Sequence, residues 1–345
     1  MYNKGLYLIG KNRFELREEN KSFEVGPHEV LLRIKACGVC GSDLTYAKTC
    51  NHSPDNAIIL GHEFTGVVEI LGGSIKNLKI NDKVVCEAGM NCGKCEHCLS
   101  GNHNLCQNIK FHGYSIYDGG FQERLVFPED FCLKIPNNLD MITATLAEPL
   151  AVCLHSLYLS KFKLGMDAAV IGCGPIGLIL VNLLKHAGAN KIFVCEPQKA
   201  RRELAIQYGA NFSVDPTQED FISMVMSHTH SLGVDRVFEA AGKHESIRLT
   251  SNVAKAGAHL IMIGIPSTDR FDISHEEVRK KGLTIKMVRR FKNTLPMAIK
   301  MLADGYGLTD IITHTFTLDD AERIFKLNQR YEDNIIKSVL VFSDD

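Results

Sequence analysis

Apolar and polar positions change rhythm along this chain of 345 residues. Up to about residue 35 they alternate in short runs, such as Gly5-Leu6-Tyr7-Leu8-Ile9 and Glu29-Val30-Leu31-Leu32-Arg33-Ile34, with a turn at Pro27-His28. That pattern predicts strands. Residues 67–71 and Lys83–Cys86 continue it, parted by Gly72-Gly73 and Asn81-Asp82, so the segment to about residue 140 is expected to be mainly β with irregular loops. From Asp140 the pattern becomes helical. Apolar strands at Ala168–Ile171, Ile192–Cys195, 235–239, 259–264 and 283–288 then alternate with helical stretches, among them one through Leu184 and one over about 218–226. Alternating strands and helices predict a parallel, doubly wound sheet with right-handed crossovers. The tail reads as a helix over Leu295–Ala303, a helix from Leu318 and a closing strand over 338–342, and the sequence shows no internal repeat.

Composition narrows the function classes. A 45% hydrophobic, 23% charged chain with net charge -1 has no basic field for nucleic acid and no polybasic membrane anchor. The apolar stretch 168–184 is interrupted by Asn182 and three glycines, which suits a buried strand and helix better than a bilayer span. Arg13, Glu15, Arg17, Glu18 and Glu19 follow the start too closely for a signal-peptide core, so a cytoplasmic location is expected. The length allows two domains. Twelve cysteines in such a chain favour reduced thiols and metal ligands over disulfides.

Two clusters carry metal chemistry. Cys92-x2-Cys95-x2-Cys98-x7-Cys106 can wrap a tetrahedral ion with sulfur at every position, leaving no place for a substrate. This predicts a structural zinc lobe; an iron–sulfur cluster is the alternative, although the spacing fits neither ferredoxin pattern. The second cluster is Gly61-His62-Glu63-Phe64-Thr65-Gly66 with Cys40, which precedes the pair by 22 residues. Thiolate, imidazole and carboxylate all bind zinc, and the flanking glycines permit a tight turn. Cys37 is read as a buried small hydrophobe, and His52, His97, His103 and His112 as structural. Glu148 is expected just before a helix opened by Pro149. There a carboxylate serves the helix N-terminus or catalysis equally well.

Gly172-Cys173-Gly174-Pro175-Ile176-Gly177 stands between a short apolar strand and an apolar helix, the order in which this fingerprint binds a dinucleotide. A second strand ends in Glu196, 19 residues after Gly177. A carboxylate there can accept from ribose hydroxyls and repels a 2′-phosphate, favouring NAD over NADP, while Lys199, Arg201 and Arg202 nearby pull the other way.

Cys40-Gly-Ser-Asp, Gly61-His-Glu-x2-Gly66, the four-cysteine lobe, Glu148-Pro149-Leu150 and the Gly172–Gly177 turn stand in the order and approximate spacing of the zinc-containing medium-chain dehydrogenases, which this chain resembles over nearly its whole length. The resemblance implies an α/β protein. A GroES-like β-rich catalytic domain would cover residues 1–149, with the zinc lobe at 90–108, completed by 289–345. A Rossmann NAD-binding domain would cover 150–288, with the active site in the cleft between them. It further implies two zinc ions per chain and a homodimer or homotetramer built through the Rossmann sheets.

Glu148, where many alcohol dehydrogenases place cysteine, and Arg289-Arg290-Phe291-x-Asn293-Thr294-x-Pro296 resemble the sorbitol and xylitol (polyol) dehydrogenases most. Threonine 3-dehydrogenases share the His-Glu and Glu-Pro motifs. Both groups usually carry His where this chain has Thr45, and polyol enzymes often carry Tyr where it has Phe291.

On this basis Cys40, His62 and Glu63 hold a catalytic zinc, and Glu148 is a further ligand or holds its water. Ser42 first accepts the hydroxyl proton and passes it to the cofactor ribose or Tyr46. Gly172, Gly174, Pro175, Ile176, Gly177, Glu196, Arg201, Ile263, Gly264 and Ile265 contact the cofactor. Arg290 and Phe291 face the substrate, a small-molecule polyol or alcohol; neither nucleic acid nor membrane is an expected partner. The reading from another class is a zinc- and nucleotide-binding protein without catalysis.

Overall fold

The computed structural model describes residues 1–343. The described chain divides into two compact units, one of residues 1–148 with 295–343 and one of residues 149–294. The boundaries differ slightly from the expected ones. Residues 289–294 pack with the second unit, where the buried Thr294 Oγ1 donates to the Ala151 carbonyl at 2.7 Å.

The first unit is built on a seven-stranded sheet. Its central strand, Glu29–Gly38, pairs antiparallel with Glu63–Leu71 on one side and with the closing strand Lys337–Val341 on the other. Ile312–Phe316 lies parallel beside that closing strand. Val30, Leu32, Ile34, Phe64, Val68, Phe127 and Leu340 fill one core with the N-terminal hairpin and the helix Ala321–Arg330. The pairing has a functional result: Gly38 faces Glu63 across one edge and Val339 across the other, so the start and end of the chain meet there.

The second unit holds a six-stranded sheet, parallel throughout. Its order is Phe212–Val214, Ile192–Cys195, Ala168–Ile171, Val234–Glu239, Ala254–Met262, Thr284–Met287. In chain order that is 3-2-1-4-5-6, the Rossmann arrangement with its switch point beside the first strand. Ala168–Ile171 and Ile192–Cys195 are buried at every position, which is why they read as unbroken apolar runs rather than alternating ones.

Local chemistry accounts for the misplaced or missed elements. The helix expected over 218–226 is Phe221–His228, because Asp220 caps it by accepting from the Ile222 and Ser223 amides. The helix Lys199–Gln207 is so polar that only Arg201, Leu204 and Ala205 are buried, which left too thin an apolar stripe to predict it. Ile312–Phe316 was missed for a similar reason, since its only buried side chain is Phe316. Glu148 lies inside the first turn of Ala147–Ser160, not before it, and Pro149 fits that turn because its missing N–H would be unpaired anyway. Met141–Ser160 is the one helical run among the described residues long and apolar enough to cross a membrane. Most of it is buried in the protein, which makes it a core helix here.

Candidate functional site

Ligand atoms of Cys40, His62 and Glu63 all lie within 4.8 Å of one another. Gly61 makes the approach possible: at φ +93° it takes a conformation few other residues tolerate, and a Cβ there would sit 2.6 Å from the Cys37 sulfur. Cys37 is fully buried, and burial pushes its thiol well above the ordinary range, as its reading as a small hydrophobe requires.

Two neighbours of this trio were not singled out from the sequence. Asp43, 2% exposed, accepts the Cys40 amide at 2.9 Å with one oxygen and reaches His62 Nδ1 at 3.3 Å with the other. A carboxylate on the second ring nitrogen fixes tautomer and orientation, leaving Nε2 for a metal. Burial opposes a charge on His62, yet Asp43 and Cys40 together raise its pKa well above the usual value. The signal was present: Asp43 is the third residue of the helix Gly41–Thr49 that Cys40 caps.

The other neighbour is Lys337, from the closing strand. It is 2% exposed, ion-paired with Glu63, and donates to the Val39 carbonyl at 3.0 Å. Gly38 makes room for the pair, since a Cβ there would lie 2.3 Å from Glu63 Oε2. No local motif marks Lys337; strand register brings it 274 residues back along the chain.

Glu148 completes the group, feeling the charges of His62, Glu63 and Lys337. Burial first, with Glu63 adding to it, pushes its carboxyl up to about 7. A thiol and two carboxyls thus gather in a buried space with Lys337 as counter-charge. Such a set, soft sulfur with imidazole and carboxylate oxygen, suits zinc.

Ser42 and Tyr46 sit one turn apart on the same helix, Gly41–Thr49. Thr45 Oγ1 is spent on the Gly41 carbonyl at 3.1 Å. Tyr46 Oη meets His52 Nε2 at 2.7 Å, so His52, read as structural, adjoins a predicted site residue. Burial raises the Tyr46 phenol pKa, opposed by a hydrogen bond from the Ser115 backbone amide.

In the lobe, the four sulfurs lie within 4.8 Å of one another, with Cys95 3.5 Å from Cys98 and 3.8 Å from Cys106. Backbone amides of Lys94 and Cys95 hold Cys92 down to about 6, while desolvation and the neighbouring thiols push Cys98 up to about 12. Four sulfurs this close could hold a dication between them, and all-sulfur ligation would leave no open position.

In the second unit, the first and third glycines of the turn are steric necessities. A Cβ on Gly172, at φ +90°, would meet Ala241 at 2.7 Å, and one on Gly177 would lie 1.9 Å from the Gly172 carbonyl oxygen. At Gly174 only Arg201 Nη1 comes near, at 3.8 Å, so this glycine fronts open space where a pyrophosphate can approach the helix Pro175–His186. Ile263 and Gly264 amides bond the Glu239 carbonyl at 2.9 and 3.0 Å, and Ile265 is exposed.

Glu196 already accepts the Cys173 amide at 2.7 Å and the Gln198 amide at 2.9 Å, so it braces the glycine turn itself. Phe291 is 5% exposed, and it and Arg290 belong to the second unit.

Residues 26–137 match the alcohol dehydrogenase GroES-like domain, and residues 175–304 the zinc-binding dehydrogenase domain. The chain is similar to sorbitol dehydrogenase of Bacillus subtilis, 30% identical over 92% of this chain and 91% of that one. It is similar to L-threonine 3-dehydrogenase of Caldanaerobacter subterraneus at 34% over 88% and 89%. A Sinorhizobium meliloti structure assigned as a zinc-binding dehydrogenase, solved with NADP, superposes with a TM-score of 0.91 at 28% identity, covering 99% of this chain and 100% of that one.

Proposed function

Given that the chain belongs to the zinc-dependent medium-chain alcohol dehydrogenases, near the polyol dehydrogenases, we propose that it oxidises a secondary hydroxyl of a polyol or sugar alcohol to a ketone with NAD. The observation that carries this reading is the meeting of Cys40, His62 and Glu63, with Glu148 beside them. These residues would hold the catalytic zinc, and Cys92, Cys95, Cys98 and Cys106 a second, structural one. Bound zinc supplies Lewis-acid polarisation that eases loss of a hydroxyl proton near neutral pH.

The chain's own groups do the rest. Asp43 holds the His62 ring in one orientation, and Lys337 balances Glu63. Ser42 takes the hydroxyl proton, and Tyr46, on the same helix face, receives it next. Gly174 admits the pyrophosphate, Glu196 keeps the turn in shape and disfavours a 2′-phosphate, and Arg290 binds substrate groups remote from the reacting carbon. Thr284–Met287 is an edge strand with Ile285 and Met287 exposed, which suits pairing of a second copy in a cytoplasmic homodimer or homotetramer.

The test is NADH formation over a panel of polyols, simple secondary alcohols and amino alcohols, run with NAD and with NADP. Turnover of polyols with NAD supports the reading. Turnover confined to threonine would favour the second reading, which the 34% identity to a threonine dehydrogenase supports. Binding of zinc and NAD without turnover of any alcohol would sink both.

A further inference from the structure

Cys86 ends the strand Lys83–Cys86, and Cys132 opens the strand Cys132–Lys134 at the edge of the seven-stranded sheet. The two strands pair antiparallel, with Cys86 opposite Cys132, Val85 opposite Leu133 and Val84 opposite Lys134. Hydrogen bonds flank this register. The Glu87 amide donates to the Phe131 carbonyl and the Ile135 amide to the Lys83 carbonyl, each at 2.9 Å. Hydrogen-bonded and non-hydrogen-bonded pairs alternate along such a ladder. Glu87 with Phe131 and Lys83 with Ile135 are of the first kind, so Cys86 and Cys132 form a pair of the second kind. There the Cα atoms stand about 4.5 Å apart and the side chains come closest. Disulfides usually span about 4.4–6.8 Å between Cα atoms, so the backbone already suits one.

The side chains agree with the backbone. Their sulfurs lie 3.9 Å apart. A carbonyl oxygen can only accept, so the Cys132 thiol donates to the Pro128 carbonyl at 3.5 Å and leaves its sulfur to accept from Cys86. Cys86 is fully buried in the core of this unit, while Cys132 packs against that core and is partly exposed. One sulfur can therefore meet a small oxidant while the other stays beside it in the dry core. Both are free thiols, and neither is among the residues of the two metal clusters. They stand 46 residues apart, and the four-cysteine lobe lies in the span between them.

We propose that Cys86 and Cys132 are a reversible disulfide site, closed by hydrogen peroxide, that fastens the edge strand and ties off the loop bearing the lobe. The Cys132 sulfur attacks one peroxide oxygen: an S–O bond forms, the O–O bond breaks, and the other oxygen leaves as water with the thiol proton. The Cys86 sulfur then attacks the Cys132 sulfur. The S–S bond forms, the S–O bond breaks, and the hydroxyl departs as water with the Cys86 proton. Two thiols lose two electrons and two protons, and one peroxide becomes two waters. The pair lies outside every residue assigned to alcohol oxidation, so the site stands apart from the dehydrogenase reading.

The test treats the full zinc-loaded chain with hydrogen peroxide, blocks the remaining thiols by alkylation and maps the peptides by mass spectrometry. A linked Cys86–Cys132 peptide is expected while elemental analysis still finds the zinc of the lobe. The thermal midpoint should rise by several degrees over the reduced protein and return with dithiothreitol, because the bond closes a long loop in the unfolded chain. In Cys86→Ala, which keeps the core apolar, dimedone should trap Cys132 as its sulfenic acid, and peroxide should no longer raise the midpoint. In Cys132→Ser, Cys86 should stay unmodified.

No linked peptide when other cysteines are already oxidised, a link that forms only after a chelator has emptied the lobe, or a midpoint that ignores the link would each overturn the proposal. The peptide map of the parent needs no variant, so poor folding of either substitution leaves the site open to test.

Discussion

Cys92, Cys95, Cys98 and Cys106 lie within 15 residues of one another, whereas Cys40, His62, Glu63, Glu148 and Lys337 come from across almost the whole chain. The lobe brings its ligands in one short segment whose Leu99 and Leu105 are exposed, so it has little apolar packing to hold it. A bound ion would supply its order. The other cluster sits on a seven-stranded sheet and is shaped by register: Gly38 opposite Glu63, Val339 opposite Gly38, and Gly61 against Cys37. One cluster would depend on a bound metal for its order; the other is already gathered by the fold. The same cation chemistry therefore carries different risks under mutation.

The sharpest break between the two should be catalytic. Cys40→Ala or His62→Ala should lower kcat/KM by about a thousandfold or more, since Lewis-acid stabilisation is worth several kcal/mol and each 1.4 kcal/mol is tenfold. NAD binding by fluorescence should be retained. Cys95→Ser should remove one zinc of two by elemental analysis, with turnover falling only as far as stability does.

Next in size is Lys337→Met. In the zinc-free protein it leaves Glu63 as an unpaired buried charge, which costs about 3–5 kcal/mol in denaturant unfolding. Lys337→Arg, which keeps the charge, should recover part of it. An unchanged midpoint in Lys337→Met would mean that the pair does not hold the site.

Asp43→Asn should cost about ten- to a hundredfold in zinc affinity, measured by competition with a chelating dye, because the His62 ring loses its orienting charge. The smallest effect is local. A chelator that empties the lobe should speed amide exchange over residues 92–106 while leaving Ile192–Cys195, in the other unit, unchanged. Uniform loss of protection would show that the lobe supports more than itself.

The sequence alone settled whatever local chemistry decides. Spacing marked the four cysteines, the glycine turn between strand and helix, and the adjacent His62-Glu63. Unbroken apolar runs marked the parallel strands, because a strand buried on both faces has no polar side to show. The capped start of Phe221–His228 was blurred by only a few residues. Tertiary structure decided everything set by register and packing. It placed Lys337 on Glu63, turned Asp43 towards His62, gave Glu196 to the glycine turn, buried Phe291, and set His52 against Tyr46. Strand pairing and side-chain contacts join residues far apart in the chain, and no motif records which partner a charge will find once both are taken out of water.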